Sequence, residues 1–311
     1  MELSDVSSWF QSKGWEAFEF QKRAWKNYAN GEFGIVNTPT GSGKTYSLLI
    51  PVLLDISNGG KSGLQAIWVT PIRALAKEIL QSGQRATDGM KLDVTIEIRT
   101  GDTSAKDKAR IKKSPPNILI TTPESLHVML SQKHYDKYFS NLKAVIIDEW
   151  HDLIGSKRGV QMELALSKFK VLSPSLKIWG ISATIGNMEE SLKVLLGDWY
   201  NSKPHQIIRS DIKKKYEVES IYPDDVDELP WAGHLGIKLI EKAIPILLKS
   251  ESTLIFLNTR GQAEIWYQKL LEVSPDFAGV VAIHHGSMSR ETRHWVAAAA
   301  AGSSSRQQQP P

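Results

Sequence analysis

The sequence predicts an α/β fold with a doubly wound, mainly parallel β-sheet. Short apolar runs with strand character recur along the first two thirds of the chain, at residues 33–37, 65–70, 94–98, 117–121, 143–148 and 177–181. Helical patterns lie between most of these runs, for example at residues 73–82, 123–131 and 160–171. Residues 144–147 are apolar throughout, which is typical of a central strand buried on both faces. Strands that alternate with helices in this way favour a parallel sheet covered by helices.

The chain is long enough for two domains, with 311 residues. We place the first domain at residues 1–205 and a partial second domain at residues 206–296, whose basic start at residues 206–216 predicts a linker or a strand leading into that domain. In the second domain we expect strands at residues 217–222, 253–258 and 279–284, helices at residues 235–249 and 262–272, and a last helix capped by Ser289. Residues 297–311 are of low complexity and predict a disordered tail.

The composition is that of an ordinary globular protein, with 41% hydrophobic and 23% charged residues. The absence of cysteine excludes disulfides and thiolate-bound metals, and it fits a reducing compartment. No run is long enough to span a membrane and the first residues do not form a signal segment, so we expect a cytoplasmic protein without membrane contact. The formal net charge of +4 permits nucleic-acid binding without requiring it.

A glycine-rich loop follows the first predicted strand. Residues 38–45 read Thr-Pro-Thr-Gly-Ser-Gly-Lys-Thr, and an apolar helical pattern begins directly afterwards. A strand, a glycine-rich loop and a helix in this order are typical of a phosphate-binding loop. Glycines let the backbone N–H groups turn towards phosphate oxygens, and the start of the helix adds partial positive charge. The strict pattern has glycine at the first position, where this chain has Thr38. The residues that we expect to bind the phosphates are Thr40, Gly41, Ser42, Gly43, Lys44 and Thr45.

Two adjacent carboxylates, Asp148 and Glu149, end the apolar run at residues 144–147. Ligands in open α/β sheets bind at the carboxyl ends of the strands, so both side chains are expected at the binding edge. We assign Asp148, together with the Thr45 hydroxyl, to a Mg²⁺ ion and Glu149 to the deprotonation of an attacking water. Lys44, Asp148 and Glu149 are the predicted catalytic residues of a site for a nucleoside triphosphate and Mg²⁺.

Residues 148–151, Asp-Glu-Trp-His, resemble motif II of the DExH helicases of superfamily 2. Further stretches in the same order resemble motif Ia (residues 70–76), motif Ib (residues 121–124) and motif III (residues 182–184). Gln21, preceded by Phe18 and Phe20, resembles the upstream glutamine that reads adenine in these enzymes. The resemblance therefore implies two RecA-like domains, with ATP as the nucleotide and Phe20 and Gln21 at its base.

A narrower resemblance comes from residues 99–103, 149–153, 155–159, 182–187 and 258–264. These stretches are similar to the large helicase-related (Lhr-like) enzymes, and most of all to the bacterial ligase-associated DEXH-box DNA helicases. The resemblance covers roughly residues 9 to 296. It implies ATP-dependent translocation on single-stranded or partly duplex DNA, a role in DNA repair, and association with a DNA ligase or nuclease.

The positions of these motifs also predict contacts with nucleic acid. Motifs Ia and Ib each follow a strand and open a helix, where backbone N–H groups can bind phosphates without reading bases. The candidates are Thr70, Arg73, Thr100, Thr121, Thr122, Thr259, Arg260 and His285. Ser182 and Thr184 are the expected coupling residues between the nucleotide and the strand. The alternative for Arg73 and Arg260 is a solvated helix end, and for His285 the satisfied end of a strand.

Two other functions remain open. The first is an RNA helicase, or a helicase acting on RNA–DNA hybrids, because these motifs contact the nucleic-acid backbone rather than the bases. Against it, motif II ends in Trp150-His151, whereas that of DEAD-box RNA helicases ends in Ala-Asp. The second is a nucleotide-dependent nucleic-acid-binding remnant that does not hydrolyse ATP. Motifs V and VI are absent from the sequence, and motif VI supplies arginines to the γ-phosphate in the family. We therefore expect an incomplete second domain, slow ATP hydrolysis and poor duplex unwinding by this chain.

Overall fold

The computed structural model describes residues 3–39, 41–60, 63–183, 186–212, 217–223 and 235–300. The chain divides into two compact units, Met1–Lys214 and Lys215–Pro311.

The first unit is built on one seven-stranded parallel sheet, as the sequence predicts. The strands are β1 (Phe33–Asn37), β2 (Ala66–Val69), β3 (Ile96–Arg99), β4 (Ile118–Thr121), β5 (Ala144–Ile147), β6 (Lys177–Ser182) and β7 (His205–Arg209). Their order across the sheet is β3-β4-β2-β5-β6-β1-β7, and every pairing is parallel. The six strands expected from the apolar runs are all present, so the predicted doubly wound architecture is confirmed.

The seventh strand, β7, differs from the prediction. Residues 206–216 are predicted to be a linker or a strand leading into the second domain, whereas residues 205–209 complete the first sheet by pairing with β1. An edge strand has one neighbour and one exposed side, so it needs few apolar residues. Only Ile208 is fully buried in β7, which explains why no apolar run marks it in the sequence.

Helices cover both faces of this sheet. They are α1 (Leu3–Ser12), α2 (Glu19–Ala29), α3 (Lys44–Gly59), α4 (Arg73–Met90), α5 (Ala105–Lys113), α6 (Pro123–Leu130), α7 (Tyr135–Phe139), α8 (Trp150–Leu153), α9 (Lys157–Leu172) and α10 (Met188–Leu196). A short 3₁₀ helix spans Gly197–Asn201. None of the helices in the described ranges combines the length and the apolar character that crossing a membrane requires.

Alternate residues of each strand face two separate cores. Val36 packs with α1 to α4 on one face, and its neighbour Ile35 packs with α6 to α10 on the other. Both faces of β5 are buried as well, because Ile146 belongs to the first core and Ile147 to the second. This burial holds the carboxyl ends of the central strands in fixed positions.

An aromatic cluster anchors the start of α3 to the first core. The ring of Tyr46 lies 5.6 Å from that of Trp9 and 6.0 Å from that of Phe10, both in edge-to-face arrangements. The indole N–H of Trp25 donates to the Tyr46 carbonyl oxygen at 3.0 Å. These contacts hold the first turn of α3, and with it the end of the glycine-rich loop, against α1 and α2.

In its described part, the second unit contains a short 3₁₀ helix at Pro275–Phe277 and four α-helices. The α-helices are α11 (Leu235–Lys238), α12 (Ile240–Lys249), α13 (Arg260–Val273) and α14 (Arg290–Ala300). The predicted Ser289 cap is present, since the Thr292 N–H donates to the Ser289 hydroxyl at 3.2 Å. A small core joins Ile240, Leu270 and Phe277.

The strands predicted in the second unit are not formed. Within residues 217–223 and 235–300, no segment pairs into a sheet, and residues 253–258 run without regular structure. Leu254 and Phe256 of this apolar run are exposed. A strand becomes stable only when neighbouring strands satisfy its backbone groups. The apolar run alone therefore does not produce a strand.

Candidate nucleotide and nucleic-acid sites

The carboxyl ends of β1, β5 and β6 bring the predicted nucleotide residues to one edge of the sheet. Asn37, the last residue of β1, lies in register with Ser182 at the end of β6. Ile147, the last residue of β5, lies in register with Gly180 of β6. The glycine-rich loop, the Asp148-Glu149 pair and Ser182 therefore meet at the same edge, with β6 between the other two strands.

The glycine-rich loop depends on left-handed backbone at two positions. Gly41 has φ +80° and Gly43 has φ +74°, a region that favours glycine over other residues. A Cβ atom at Gly43 would lie 3.1 Å from the side-chain nitrogen of Gln21, so the position also lacks space. Thr40, which is predicted to bind phosphate, lies outside the described residues.

Two hydroxyl groups brace this loop from inside. The Ser42 hydroxyl donates to the Pro39 carbonyl oxygen at 2.6 Å and lies 2.6 Å from the hydroxyl of Thr38. Both Thr38 and Ser42 are buried. Thr38 stands where the strict pattern has glycine, and its hydroxyl takes part in the bracing of the loop.

Lys44 and Glu149 form an ion pair at the centre of the site. The Lys44 ammonium group bonds to Oε1 of Glu149, and each side chain is only 11% exposed. Glu149 has φ +49°, a conformation that a residue with a side chain adopts at a cost of about 1 to 3 kcal/mol. The structure therefore joins two of the three predicted catalytic residues, which lie 105 positions apart in the chain.

Asp148 is buried beside this pair. Its Oδ1 accepts from the Glu149 N–H at 2.9 Å, and its Oδ2 accepts from the indole N–H of Trp68 at 3.4 Å. Burial raises the pKa of Asp148 to about 6, against the opposing influence of the Lys44 charge. A nearby divalent cation stabilises the charged form of a buried carboxylate more than that of an exposed one, because water screens the exposed charge.

The donor set of the site fits a Mg²⁺ ion that is shared with phosphates. In the described part of the chain, no three His, Asp or Glu side chains group into a metal cage. Mg²⁺ usually binds one or two protein oxygens and completes its octahedron with phosphates and water. Asp148 and Thr45, the half-buried second residue of α3, supply two oxygens of the preferred kind.

Gln21 connects the glycine-rich loop to the start of α2. Its Oε1 accepts from the Phe18 N–H at 2.9 Å, and its amide nitrogen donates to the Gly43 carbonyl oxygen at 2.9 Å. Phe20 is 3% exposed and packs in the first core, so the predicted base contact by this ring does not fit the structure. The exposed ring is that of Phe18, which is 48% exposed and stacks on Phe20.

The predicted coupling residue Ser182 contacts motif II through a histidine. Its hydroxyl lies 3.3 Å from Nδ1 of His151, and the Ala183 N–H donates to the same nitrogen at 3.3 Å. The Asn37 side chain donates to the Ala183 carbonyl oxygen at 2.7 Å, which ties this segment to β1. Sequence reasoning did not assign a role to His151 or Asn37, and Thr184 lies outside the described residues.

The threonines proposed as phosphate contacts differ in their surroundings. Thr70 and Thr121 have no exposed surface, and the Thr121 hydroxyl donates to the Arg99 carbonyl oxygen at 2.7 Å. In this structure, these two residues brace their strand ends. Thr122 caps α6 by accepting from the Ser125 N–H at 3.4 Å.

Two arginines make contacts that hold motifs Ia and Ib in place. Arg73, the first residue of α4, bonds to Asp102 at 2.7 Å. Arg158 bonds to Glu124 at 2.6 Å and also donates to the Pro71 carbonyl oxygen at 2.8 Å. Arg158 thus joins the loop before α4 to the first turn of α6, a connection that its sequence position does not reveal.

One cavity brings three of the predicted nucleic-acid residues together. Arg73, Thr100 and Thr122 line a cavity of about 480 Å³ with Arg99, Lys108 and Lys112, among others. The last three were not predicted as site residues. The i, i+4 spacing of Lys108 and Lys112 places them on one face of α5, and this spacing could have predicted a positively charged helix face from the sequence.

The three candidates in the second unit also lie near one another. Thr259 caps α13 by accepting from the Gln262 N–H at 3.2 Å, and Arg260 donates to the Ser287 hydroxyl at 2.7 Å. His285 lies 3.5 Å from Glu264, and its Nδ1 is buried without a partner in the described structure. The start of α13 and the loop before α14 therefore form one surface.

Comparison with known families agrees with this arrangement. The model of the DEAD/DEAH box helicase family matches residues 18–191, which contain both the glycine-rich loop and the Asp148-Glu149 pair. The sequence is 32% identical over 307 residues to the ATP-dependent helicase Lhr-Core protein 2 of Thermococcus barophilus, covering 93% of this chain and 35% of the relative. It is 30% identical to the Lhr helicase/uracil glycosylase of Escherichia coli, covering 94% of this chain and 22% of the relative.

Solved structures show the same fold. The Mycobacterium smegmatis helicase Lhr bound to ssDNA and AMP-PNP superimposes with a TM-score of 0.76 at 26% identity, covering 93% of this chain and 39% of that chain. The DEAD-box helicase Mss116 superimposes with a TM-score of 0.67 at 20% identity, covering 90% of this chain and 57% of that chain, which shows the fold alone.

The chain spans about a third of the length of the Lhr-Core relatives. The predicted resemblance to the large helicase-related enzymes is confirmed, and the narrower ligase-associated branch stays a prediction. Because the family model covers more than half of the 311 residues, the chain belongs to the DEAD/DEAH box helicase family.

Proposed function

We propose that this chain is the nucleotide-binding part of an ATP-dependent DNA helicase or translocase that uses ATP and Mg²⁺ and grips single-stranded nucleic acid. The observation that carries the proposal is the contact between Lys44 and Glu149, with Asp148 buried beside them. Buried charges of both signs at the carboxyl edge of a parallel sheet are characteristic of a site that handles a polyanion and its metal ion.

Each residue of the site has a distinct part in this chemistry. Bound ATP with Mg²⁺ supplies the phosphoanhydride bond whose hydrolysis drives movement. The backbone of residues 41–43 and the Lys44 ammonium group hold phosphate oxygens, and Asp148 and Thr45 supply oxygens for the metal. Glu149 orients the attacking water and accepts its proton. Before Oε1 of Glu149 can accept that proton, the Lys44 ammonium group has to leave this carboxylate and bind another anion.

The link from this site to nucleic acid runs through His151. Its Nδ1 faces both Glu149, at 3.6 Å, and the Ser182-Ala183 segment, at 3.3 Å. A change at Glu149 therefore reaches β6 and, through Asn37, the base of the glycine-rich loop. We infer that this chain of contacts, with Ser182 as its predicted member, couples the nucleotide state to the part of the sheet edge where the strand is proposed to bind.

We propose DNA as the nucleic acid. The M. smegmatis helicase Lhr, at 26% identity, was solved bound to ssDNA and AMP-PNP, which supports this choice. The proposed contacts of the first unit are Arg73, which is exposed, and Thr100 and Thr122, which are buried but line the same cavity. Those of the second unit are Thr259, Arg260 and His285. Such contacts bind the backbone whatever the base sequence.

We further propose a role in DNA repair. The E. coli relative is named a helicase/uracil glycosylase, and glycosylases act on single bases of DNA, which supports this setting. Association with a DNA ligase or nuclease stays a proposal from the sequence resemblance, and it is tested by co-purification of the chain with such enzymes.

Steady-state ATP hydrolysis tests the proposed function. We expect the chain to hydrolyse ATP with Mg²⁺ and to respond more strongly to single-stranded DNA than to RNA of the same sequence. Glu149→Gln keeps the size of the side chain and removes the base, so it should lower turnover by at least about a hundredfold. Glu163→Gln on α9 makes the same chemical change outside the site and should match the wild type.

The outcomes separate the three functions. Stronger stimulation by RNA assigns the chain to the RNA helicases. Turnover of the wild type at the background level without protein, together with retained AMP-PNP binding, identifies a nucleotide-dependent binding protein without hydrolysis. Equal turnover in all three proteins at a level well above that background contradicts the role given to Glu149.

A further inference from the structure

A tight connection joins the acidic pair of motif II to helix α9. Helix α8 starts directly after Glu149, and the Asp152 N–H donates back to the Glu149 carbonyl oxygen at 2.9 Å. The carbonyl oxygen of Leu153, the last residue of α8, accepts from the Ser156 N–H at 3.0 Å and from the Ser156 hydroxyl at 2.6 Å. A Cβ atom at Gly159 would overlap the same carbonyl oxygen. The first turn of α9 is therefore held in a fixed position relative to Glu149.

Arg158 extends from this first turn of α9 to two other elements. Its Nε donates to Oε1 of Glu124 at 2.6 Å, and its Nη2 donates to Oε2 of Glu124 at 3.4 Å and to the Pro71 carbonyl oxygen at 2.8 Å. Glu124 lies in the first turn of α6, and Pro71 lies in the loop between β2 and α4. A planar guanidinium group can bind a carboxylate through two N–H groups and still donate to a third acceptor. One side chain thus connects the start of α9 with motifs Ia and Ib.

The two segments that Arg158 holds also carry residues proposed to contact nucleic acid. Arg73 begins α4 two residues after the carbonyl group that Arg158 binds, and Thr122 caps α6 two residues before the carboxylate. A displacement of α8 on nucleotide binding therefore reaches both residues through Arg158. The path through His151 leads in the other direction, to β6 and β1.

We propose that Arg158 is a positioning residue that links nucleotide binding to strand binding. It holds the loop of motif Ia and the first turn of α6 in one arrangement, and it moves both when α8 moves. This inference rests on the function proposed above, because that function supplies the two ligands. The factor by which the nucleotide changes the strand affinity must equal the factor by which the strand changes the nucleotide affinity. We refer to this shared factor as the linkage.

A second arginine–glutamate pair provides a matched control. Arg110 of α5 donates to both carboxylate oxygens of Glu97 in β3, at 2.8 and 2.6 Å. Its side chain is 54% exposed, compared with 36% for that of Arg158, so both pairs lie at the surface. The Arg110 pair joins α5 to the edge strand β3 and includes no residue of motifs Ia, Ib or II.

The variants Arg158→Lys and Arg110→Lys test the proposal without changing any charge. A lysine has one donor nitrogen on a flexible stem, so it cannot reproduce the fork that binds Glu124 and the Pro71 carbonyl group together. Exposed ion pairs contribute little to stability, and both variants should therefore unfold at nearly the temperature of the wild type.

Two titrations measure the linkage. Anisotropy of a fluorescein-labelled oligothymidylate gives the strand affinity with and without AMP-PNP and Mg²⁺, and calorimetry gives the AMP-PNP affinity with and without the oligonucleotide. We expect a linkage of at least about fivefold in the wild type and in Arg110→Lys, and of less than about twofold in Arg158→Lys. A purely structural role of Arg158 would lower stability and leave the linkage unchanged.

Selective loss of linkage in Arg158→Lys supports the proposal. Retained linkage in this variant, or equal loss in both lysine variants, overturns it. A direct phosphate contact by Arg158 also overturns it: Arg158→Gln would then reduce the slope of strand affinity against salt by about one and keep the linkage.

Failure of the proposed function gives a different result. A wild type that binds AMP-PNP and the oligonucleotide without linkage overturns only the role of Arg158. A wild type that binds neither ligand contradicts the proposed function itself, and the role of Arg158 falls with it.

Discussion

Replacing Gly43 by alanine tests whether the backbone of the glycine-rich loop creates the nucleotide site. Gly43 has φ +74°, and its carbonyl oxygen accepts a hydrogen bond from Gln21 at 2.9 Å. The added Cβ would stand 3.1 Å from the Gln21 amide nitrogen, so the amide has to move by a few tenths of an ångström. The substitution therefore strains the loop and loosens its attachment to α2.

The magnitude follows from these two effects. A left-handed conformation costs a residue with a side chain about 1 to 2 kcal/mol, and a weakened hydrogen bond costs about 1 kcal/mol more. The free energy of unfolding of the first unit should fall by about 2 to 3 kcal/mol, which lowers its midpoint temperature by about 5 to 10 °C for a unit of this size. If the alanine instead relaxes towards negative φ, the N–H groups of the loop turn away from the phosphates.

A matched control separates strain from function. Gly31 has φ +79°, but a Cβ there meets no atom within 4 Å, and the residue lies after α2 rather than in the loop. Gly31→Ala should lose about 1 to 2 kcal/mol of stability and bind AMP-PNP like the wild type. Gly43→Ala should lose more stability and at least about tenfold in AMP-PNP affinity.

Thermal unfolding and calorimetric titration with AMP-PNP and Mg²⁺ supply both readouts. The reasoning is refuted if Gly43→Ala binds the nucleotide as tightly as Gly31→Ala. Equal stability loss in the two variants, with selective loss of affinity, would confirm the role of the loop and contradict only the contact with Gln21.

Three further predictions concern Asp148, Trp68 and Thr122. Because the pKa of Asp148 is raised to about 6, the carboxyl is protonated below that pH, and affinity for Mg²⁺ with AMP-PNP should fall about tenfold per pH unit there; Asp148→Asn should bind weakly at every pH. Trp68→Phe removes an N–H donor from Asp148, which should move the midpoint of that pH profile upward; an unchanged midpoint would contradict the bond at Oδ2. Thr122→Ala removes the cap of α6 and should cost about 1 kcal/mol of stability in urea unfolding, whereas Thr122→Ser should retain it.

Much of the first unit was predictable because its signals are local. Six of the seven strands coincide with apolar runs that are visible in the sequence; five of them lie inside the sheet, and the edge strand β3 is marked by Ile96 and Ile98. The seventh, β7, has one exposed side and a mixed composition, so no run marks it. In the second unit the apolar run at residues 253–258 gave a false strand, because pairing partners decide whether such a run becomes part of a sheet.

Some residues of the candidate site were also predictable from the sequence, and others were not. Lys44, Asp148 and Glu149 were identifiable because glycines, a lysine and adjacent acids at strand ends are chemically distinctive. The burial of Phe20 does not favour its predicted contact with the base, and the sequence does not show which of two neighbouring phenylalanines faces the core. His151 and Asn37 were assigned no role, because their hydrogen bonds reach residues on other strands.

The order of residues by itself determined the parallel sheet, the phosphate-binding loop and the acidic pair, because each depends on the composition and spacing of a short segment. Only the folded chain decided that Lys44 pairs with Glu149, that Thr121 turns inward, and that Nε of Arg99 is buried without a hydrogen-bond partner in the described structure. Contacts of this kind depend on the order of strands across the sheet and on which helix covers each edge. Long-range packing sets both of these, and no local pattern in the sequence records them.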